Sequence, residues 1–177
     1  MEEKVPCVEC GKLISASLVS KRKGLCLQCS LKRNPYFLLS NSLTERVAHS
    51  PGGFAALSDV EQLYHAITLF QGEVNNGGFH QFFFNSSGAH YELIENALIT
   101  FDELQVLELL HRAKQIVFPE ILVPVDTEIR RERMRDCPPS SLDELDRHFY
   151  SIPNTLSPKL KVFARERGLV SPESDNK

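Results

Sequence analysis

The sequence has no tryptophan, only two methionines, and no apolar run near the ~20 residues that a membrane-spanning helix needs. Its first residues include Glu2, Glu3 and Lys4, followed by cysteines, which differs from the basic and then apolar pattern of a secretory signal peptide. These absences argue against a membrane span and predict a cytoplasmic protein. In that compartment we expect the five cysteines to stay reduced unless a metal ion binds them.

The residue patterns of the common catalytic sites are also missing. The histidines show no HExxH spacing, and the polar stretch at residues 75–87 contains no cysteine, Ser-His-Asp arrangement, paired acids or phosphate loop. We therefore predict a protein that is not an enzyme; a hydrolytic site built on His80 and Asn75 is the least favoured alternative. We expect each of the histidines to be a helix-surface or capping residue: His49, His65, His80, His90, His111 and His148.

What is present suits one ordinary domain with a small appendage. Of the 177 residues, 42% are hydrophobic and 11 are phenylalanine, which is enough for a real core. Outside the first residues the apolar positions recur at helical spacing, without the alternation of a strand. The sequence predicts an all-α domain over residues 37–170, a small metal-binding module over residues 1–36, and a disordered tail over residues 171–177.

Two CxxC pairs occur in the first residues, Cys7 with Cys10 and Cys26 with Cys29. Two such turns can complete the tetrahedral set of thiolates that a structural Zn²⁺ ion prefers. Two disulfides, four free thiols or an iron centre are the alternatives, and the first two fit a cytoplasmic chain poorly. We predict a zinc ribbon or treble-clef module. Because four protein ligands leave no open coordination position, the ion is expected to be structural.

The net charge of −3 conceals a basic head and an acidic body. Before Ser40 there are seven Lys or Arg against three Glu, and from Ser40 onward thirteen against twenty Asp or Glu. The head can contact phosphates, or its cations can be ordinary solvated charge, which the lack of a flanking aromatic platform slightly favours. The candidate nucleic-acid contacts are Lys21, Arg22, Lys23, Lys32 and Arg33.

The most distinctive stretch covers residues 72–88 and interrupts a helical pattern with two adjacent glycines. Phenylalanines after the break fall on one helical face, and amide and hydroxyl side chains can bond the backbone groups that the break exposes. A structural role is favoured over a catalytic one. The residues assigned to this structural motif are Asn75, Asn76, Gly77, Gly78, Phe79, Gln81, Phe82 and Asn85.

This stretch carries a resemblance to a known family. Glu-Val-Asn-Asn-Gly-Gly-Phe at residues 73–79, Gln-Phe-Phe at 81–83, Asn-Ser-Ser-Gly at 85–88 and Leu-Asp-Glu-Leu-Asp-Arg-His-Phe-Tyr at 142–150 resemble the bacterial DNA-mimic protein C-terminal domain family. The resemblance covers residues 43–167. It implies a DNA-mimic role, because the founding type of the family occupies a repressor-like transcription factor as a DNA mimic.

An acidic run is the feature that bears on such a role. Carboxylates spaced along rigid helices can imitate duplex phosphates, although any solvated helical face looks similar. We predict a module that binds another protein, for which a DNA-binding protein is the candidate. The alternative is a zinc-dependent nucleic-acid-binding regulator, and homodimerisation is left open. The arginines at 130, 131, 133 and 135 are expected to reduce the acidic field. The partner-binding candidates are Glu92, Glu95, Asp102, Glu103 and Glu108.

Overall fold

A computed structural model describes residues 4–119 and 121–171 of the chain. The predicted tail lies, from residue 172 onward, outside the described residues. The elements in chain order are β1 (Lys4–Pro6), β2 (Leu13–Ser15), α1 (Ala16–Lys21), α2 (Leu27–Lys32), α3 (Pro35–His49), α4 (Asp59–Phe84), α5 (Tyr91–Thr100), α6 (Leu104–Val117), α7 (Thr127–Arg133), α8 (Asp143–Ser151) and α9 (Leu156–Glu166), with short 3-10 helices at Gly53–Ala56, Ser86–His90 and Pro139–Leu142. The predicted fold class, a small cysteine-containing module before an all-α body, is confirmed.

The small module is built on one antiparallel hairpin. Strand β1 pairs with β2 so that Lys4 faces Ser15 and Pro6 faces Leu13. Gly11 has φ +72°, as expected for a turn residue that follows a cysteine pair. Cys26 caps the N-terminal end of helix α2, and its side chain accepts a hydrogen bond from the backbone of Cys29. The hairpin and this helix therefore carry the two cysteine pairs.

Helix α3 starts earlier than the sequence indicated. Asn34 and Pro35 predict a break and a helix from about Ser42, but the helix begins at Pro35. The Asn34 side chain accepts hydrogen bonds from the backbone of Tyr36 and Phe37, and proline is tolerated at the first helical position. The predicted division between residues 36 and 37 thus falls in the first turn of α3.

Helix α4 is the central element of the body. Ser58 and Glu61, three residues apart, predict a capping box at its start. The box is present: Ser58 Oγ accepts from the Glu61 backbone, and the Glu61 carboxylate accepts from the Ser58 backbone at 2.9 Å. Glu61 also forms an ion pair with Arg46 of α3. The helix supplies a large share of the core through fully buried side chains, which are Ala66, Ile67, Phe70, Val74, Phe79, Phe82 and Phe83.

The predicted helix break lies at the expected glycines, but it produces a kink within α4. Gly77 (φ −154°, ψ 23°) and Gly78 (φ 75°, ψ −176°) have non-helical angles. The helix resumes immediately at Phe79, so α4 is kinked and does not end there. The sequence predicts that the next helix begins at Ser86–Gly88, and helical structure does start at Ser86, but Ser86–His90 is a 3-10 helix and the α-helix α5 follows from Tyr91.

The other helices of the body pack around the kinked helix and form one core with it. Aromatic rings meet edge to face, with 5.1 Å between the centroids of Phe70 and Phe82 and 5.3 Å between those of Phe83 and Phe118. Leu98, Leu110 and Leu145 close the core from α5, α6 and α8. This packing fixes the outward faces of α5 and α6 on a rigid scaffold.

Candidate functional site

The four predicted metal ligands lie together. The Sγ atoms of Cys7, Cys10, Cys26 and Cys29 are all within 4.8 Å of one another, and only Cys10 is exposed. Hydrogen bonds from the backbone, chiefly that of Cys26, lower the pKa of Cys7 to about 6. The hydrogen bond with Cys26, together with burial, raises the pKa of Cys29. The thiols of this cluster therefore differ in pKa, and a bound cation would favour the thiolate form of all four.

The sulfur geometry fits a tetrahedral ion better than a disulfide. The Sγ atoms of Cys10 and Cys26 are 3.7 Å apart, far beyond the ~2.0 Å of a disulfide bond. A tetrahedron with metal–sulfur bonds of ~2.3 Å has edges of ~3.8 Å. The buried interior of this module comprises, besides three of the cysteines, Leu25 with Ile14 packed against it. The residues therefore suit a metal ion that organises the module.

A polar network joins the two halves of α4 across the kink. The Glu73 carboxylate accepts hydrogen bonds from Gln81 Nε2 at 2.5 Å, Asn85 Nδ2 at 2.9 Å and Ser87 Oγ at 3.4 Å. Glu73 precedes the kink and the three donors follow it. Sequence reasoning placed Gln81 and Asn85 in the structural motif but did not identify Glu73 as their shared acceptor.

Helix α8 supplies the partners of the backbone at the kink. Asp146 Oδ1 accepts from the Phe79 backbone at 2.8 Å, and the Tyr150 hydroxyl donates to the Val74 carbonyl at 2.9 Å. A Cβ on Gly78 would lie 2.1 Å from the Asp146 carboxylate, so the position needs glycine for space as well as for its positive φ. Burial raises the pKa of Asp146. The two sequence blocks that carry the family resemblance are therefore in contact.

The remaining polar residues of the motif do not converge on a reaction centre. Asn75 and Asn76 are exposed, and Asn75 Nδ2 donates to the Gln71 carbonyl at 2.6 Å. His80 stacks on Phe84 with 5.9 Å between the ring centroids. A cavity of about 130 Å³ is lined by Asn75 but by neither His80 nor Gln81. The arrangement serves the helix kink.

Arg130 is a buried residue that the sequence did not reveal. Expected on the surface, it is fully buried and donates to the carbonyl oxygens of Phe83, Asn85, Pro124 and Val125 at 2.6–3.0 Å. Burial lowers the pKa of its guanidinium. The guanidinium satisfies carbonyl groups at the C-terminal end of α4, where the helix dipole favours a cation.

The neighbouring Arg131 is only half-buried. Its Nε donates to the Phe84 carbonyl at 3.1 Å, and its guanidinium lies 4.7 Å from the centre of the Phe84 ring. Only Arg133 and Arg135 of the expected basic block are exposed. The block therefore offsets the surface acids less than its sequence indicates.

The five candidate partner-binding acids separate into two groups. Glu92, Asp102 and Glu108 are exposed on α5, on the connection after it and on α6. Glu95 is half-buried and its carboxylate lies 2.6 Å from His111 Nε2. Glu103 is only 6% exposed, accepts from Thr155 Oγ1 and forms an ion pair of 2.8 Å with Lys159. Glu103 thus links α6 to α9 and adds little to the surface field.

The candidate nucleic-acid residues surround the metal module. Lys21, Lys23, Lys32 and Arg33 are exposed and Arg22 is half-buried. Arg33 is the one that contacts an acid among the described residues, with 2.7 Å between its guanidinium and the Glu9 carboxylate. The other four remain available to a ligand.

The histidines do not all lie where the sequence indicated. The expectation of a surface or capping role is wrong for His65, which is 3% exposed and whose Nδ1 has no hydrogen-bond partner among the described residues. His90 stacks on Phe54, with 3.8 Å between the ring centroids. Burial, and to a lesser extent the charges of His65 and Arg130, lower the pKa of His90 to about 4. Burial also lowers the pKa of His65, so the surroundings favour the neutral form of both rings.

Comparison with known proteins supplies one match. The family model described as DMP19-like protein matches residues 55–167, a segment that contains the kinked helix and both signature blocks. No curated protein and no solved structure matches the chain. Within the part of the chain that the structure describes, no helix combines the length and the apolar character required to cross a membrane.

Proposed function

The chain belongs to the DMP19-like protein family, and from this premise we propose that it is a non-enzymatic module that binds another protein through the acidic surface of α5 and α6. The observation that carries the proposal is the exposure of Glu92 on α5, Glu108 on α6 and Asp102 on the connection between them. Within residues 4–119 and 121–171, none of these three carboxylates has an ion-pair partner. They are free to interact with an incoming cationic surface.

The proposed partner is a cytoplasmic DNA-binding protein whose basic groove accepts the carboxylates in place of phosphates. Charged surfaces of opposite sign accelerate association and fix orientation, and salt weakens them. Arg112 and Lys114 on α6 reduce the negative potential of this surface. The cations of the partner must therefore align with the individual carboxylates. This is the DNA-mimic role that the family resemblance implies.

The ion assigned to the four cysteines is Zn²⁺, with a structural role. A Cys₄ set saturates tetrahedral zinc and leaves no position for water or substrate, which supports a function without metal catalysis. Apparent binding energies of ~10–16 kcal/mol are usual for such sites, so the ion would supply most of the stability of residues 1–36. Residues 37–170 form the interaction domain in this proposal.

The function is tested by capture of partners on the immobilised, metal-loaded chain after nuclease treatment of a native cytoplasmic extract. A face variant with Glu92→Gln, Asp102→Asn and Glu108→Gln removes three negative charges from the proposed surface. A matched control with Glu132→Gln, Asp136→Asn and Glu144→Gln removes three from exposed positions elsewhere.

We expect the wild type and the control to retain the same protein partner, with binding that weakens as salt rises, and the face variant to lose it. Equal capture by both variants would refute the proposed surface. Recovery of nucleic acid alone from an extract without nuclease would favour the alternative function, a nucleic-acid-binding regulator that uses the basic module.

A further inference from the structure

A cleft at the start of α3 is formed jointly by the metal module and the helical body. Its volume is about 340 Å³. It is lined by Lys21, Arg22, Lys23 and Arg33 of the module, by Tyr36 in the first turn of α3 and by Lys161 of α9, together with a few uncharged residues. None of the described residues that line it is acidic. Four of the five candidate cations, all except Lys32, therefore share one concave site with Lys161.

The cations converge from three separate elements. Lys21, Arg22 and Lys23 lie at the end of α1 and in the turn that follows it, and Arg33, which also pairs with Glu9, caps the C-terminal end of α2. Lys161 belongs to α9, and its Nζ lies 5.4 Å from the centre of the Tyr36 ring. The N-terminal end of α3, a helix of fifteen residues, also faces the cleft through Asn34 and Pro35 and adds the positive end of its dipole.

The metal module fixes the position of the basic turn. Lys23 has φ 50° and Gly24 has φ 80°, so this turn has a left-handed conformation that must be held by its surroundings. The Val8 backbone donates to the Gly24 carbonyl at 3.1 Å, and Val8 lies between Cys7 and Cys10. The geometry of the cleft thus depends on the Cys₄ site.

We propose that this cleft binds the phosphate groups of a nucleotide, either free or within a single strand of nucleic acid. Several cations around a concavity suit a ligand with multiple negative oxygens, and a volume of 340 Å³ lies within the ~300–1,000 Å³ range of small-ligand pockets. Reading a duplex requires a protruding helix or ribbon that enters a groove, and a concave site lacks this shape.

The test measures fluorescence anisotropy of a labelled single-stranded oligothymidylate with the zinc-loaded full chain over a range of salt concentrations. The logarithm of the binding constant should fall linearly with the logarithm of the salt concentration, with a slope of about −0.7 for each phosphate contacted. Lys161→Gln should weaken binding several-fold and make the slope shallower by about 0.7. Arg112→Gln removes the same charge from an exposed position on α6 that does not line the cleft, and it should leave both values unchanged.

Further arms distinguish the two sources of phosphate. Displacement of the oligonucleotide by ATP at micromolar concentration assigns the cleft to a free nucleotide, and displacement only by unlabelled single strands assigns it to nucleic acid. The double variant Lys21→Gln with Lys23→Gln should weaken binding as Lys161→Gln does, with unchanged helix content and metal content in both.

Three results would overturn the proposal. The first is that neither the oligonucleotide nor ATP binds at low salt, and the second is that Lys161→Gln and Arg112→Gln weaken oligonucleotide binding equally. The third is that a polyglutamate peptide displaces the oligonucleotide as well as ATP or unlabelled single strands do. The last would show a site for acidic peptides. Because neither cleft variant alters Glu92, Asp102 or Glu108, loss of this site would leave the proposed protein-binding function untouched.

Discussion

Replacement of Gly78 by alanine tests how the two signature blocks depend on each other. The new Cβ would be 2.1 Å from the Asp146 carboxylate, and the backbone at φ 75°, ψ −176° is in a region that only glycine readily adopts. The backbone strain costs ~1–3 kcal/mol. Displacement of Asp146 costs a further ~1–2 kcal/mol, because the Phe79 backbone loses its capping carboxylate. We expect Gly78→Ala to lower the free energy of unfolding by ~2–5 kcal/mol, the sum of the two costs.

The two contributions separate in a double-mutant cycle. Asp146→Ala alone should cost ~1–2 kcal/mol through the lost cap. In that background Gly78→Ala should cost only its backbone strain of ~1–3 kcal/mol, because the carboxylate it displaces is already absent. The cycle therefore predicts a coupling energy of ~1–2 kcal/mol between a glycine on α4 and an acid on α8.

Urea unfolding of the metal-loaded chain, followed by circular dichroism at 222 nm, measures these values. Gly72→Ala is the matched control: Gly72 lies in the same helix, and a Cβ there would meet nothing within 4 Å. It should stabilise the protein by ~0.5–1 kcal/mol. Equal costs of Gly78→Ala in the two backgrounds, or a Gly72→Ala cost as large as that of Gly78→Ala, would refute the interlocking of α4 and α8.

Further predictions follow from the buried groups and the cysteines. Arg130→Met should lower the free energy of unfolding in urea by at least ~3 kcal/mol, because several carbonyls lose their hydrogen-bond donor. The control Arg133→Met, at an exposed position, should change it by less than ~0.5 kcal/mol. Similar costs for the two substitutions would contradict the role of Arg130. The folded pKa of His90, about 4, is below its ordinary value of 6.5, so the free energy of unfolding should fall as pH drops from 6.5 towards 4, by ~2 kcal/mol at pH 5. The His90→Phe variant should lose less stability over the same pH range. A variant with the same pH profile as the wild type would exclude His90 as the cause. Elemental analysis should find one Zn²⁺ per chain, and chelation should unfold residues 1–36 while the cooperative transition of the body persists; a chain without metal whose module stays folded would contradict the assignment.

Local patterns in the sequence were sufficient for much of the fold. The spacing of Cys7, Cys10, Cys26 and Cys29 depends on two short turns, and the capping box at Ser58 depends on residues three positions apart. The break at the adjacent glycines is likewise a property of a few neighbouring residues. In each case the physical cause lies within one or two helical turns of the residues that signal it, so the sequence shows it directly.

The features that the sequence did not reveal depend on distant partners. Arg130 is charged and sits among other arginines, and only its contacts with the carbonyls of Phe83 and Asn85 show why it is buried. Glu103 belongs to an acidic run by sequence, yet its ion pair is with Lys159 on α9. Lys161 completes the basic cleft from the far end of the chain. Composition and spacing carry no signal of such pairings.

Competition with DNA tests the central claim most directly. The partner retained on the immobilised chain is challenged with duplex DNA at fixed salt, and the released protein is quantified. If the acidic surface of α5 and α6 occupies the partner's DNA-binding groove, DNA should release the partner in proportion to its concentration, and the released protein should be bound to the DNA. A partner that binds DNA while it remains on the chain would contradict the account.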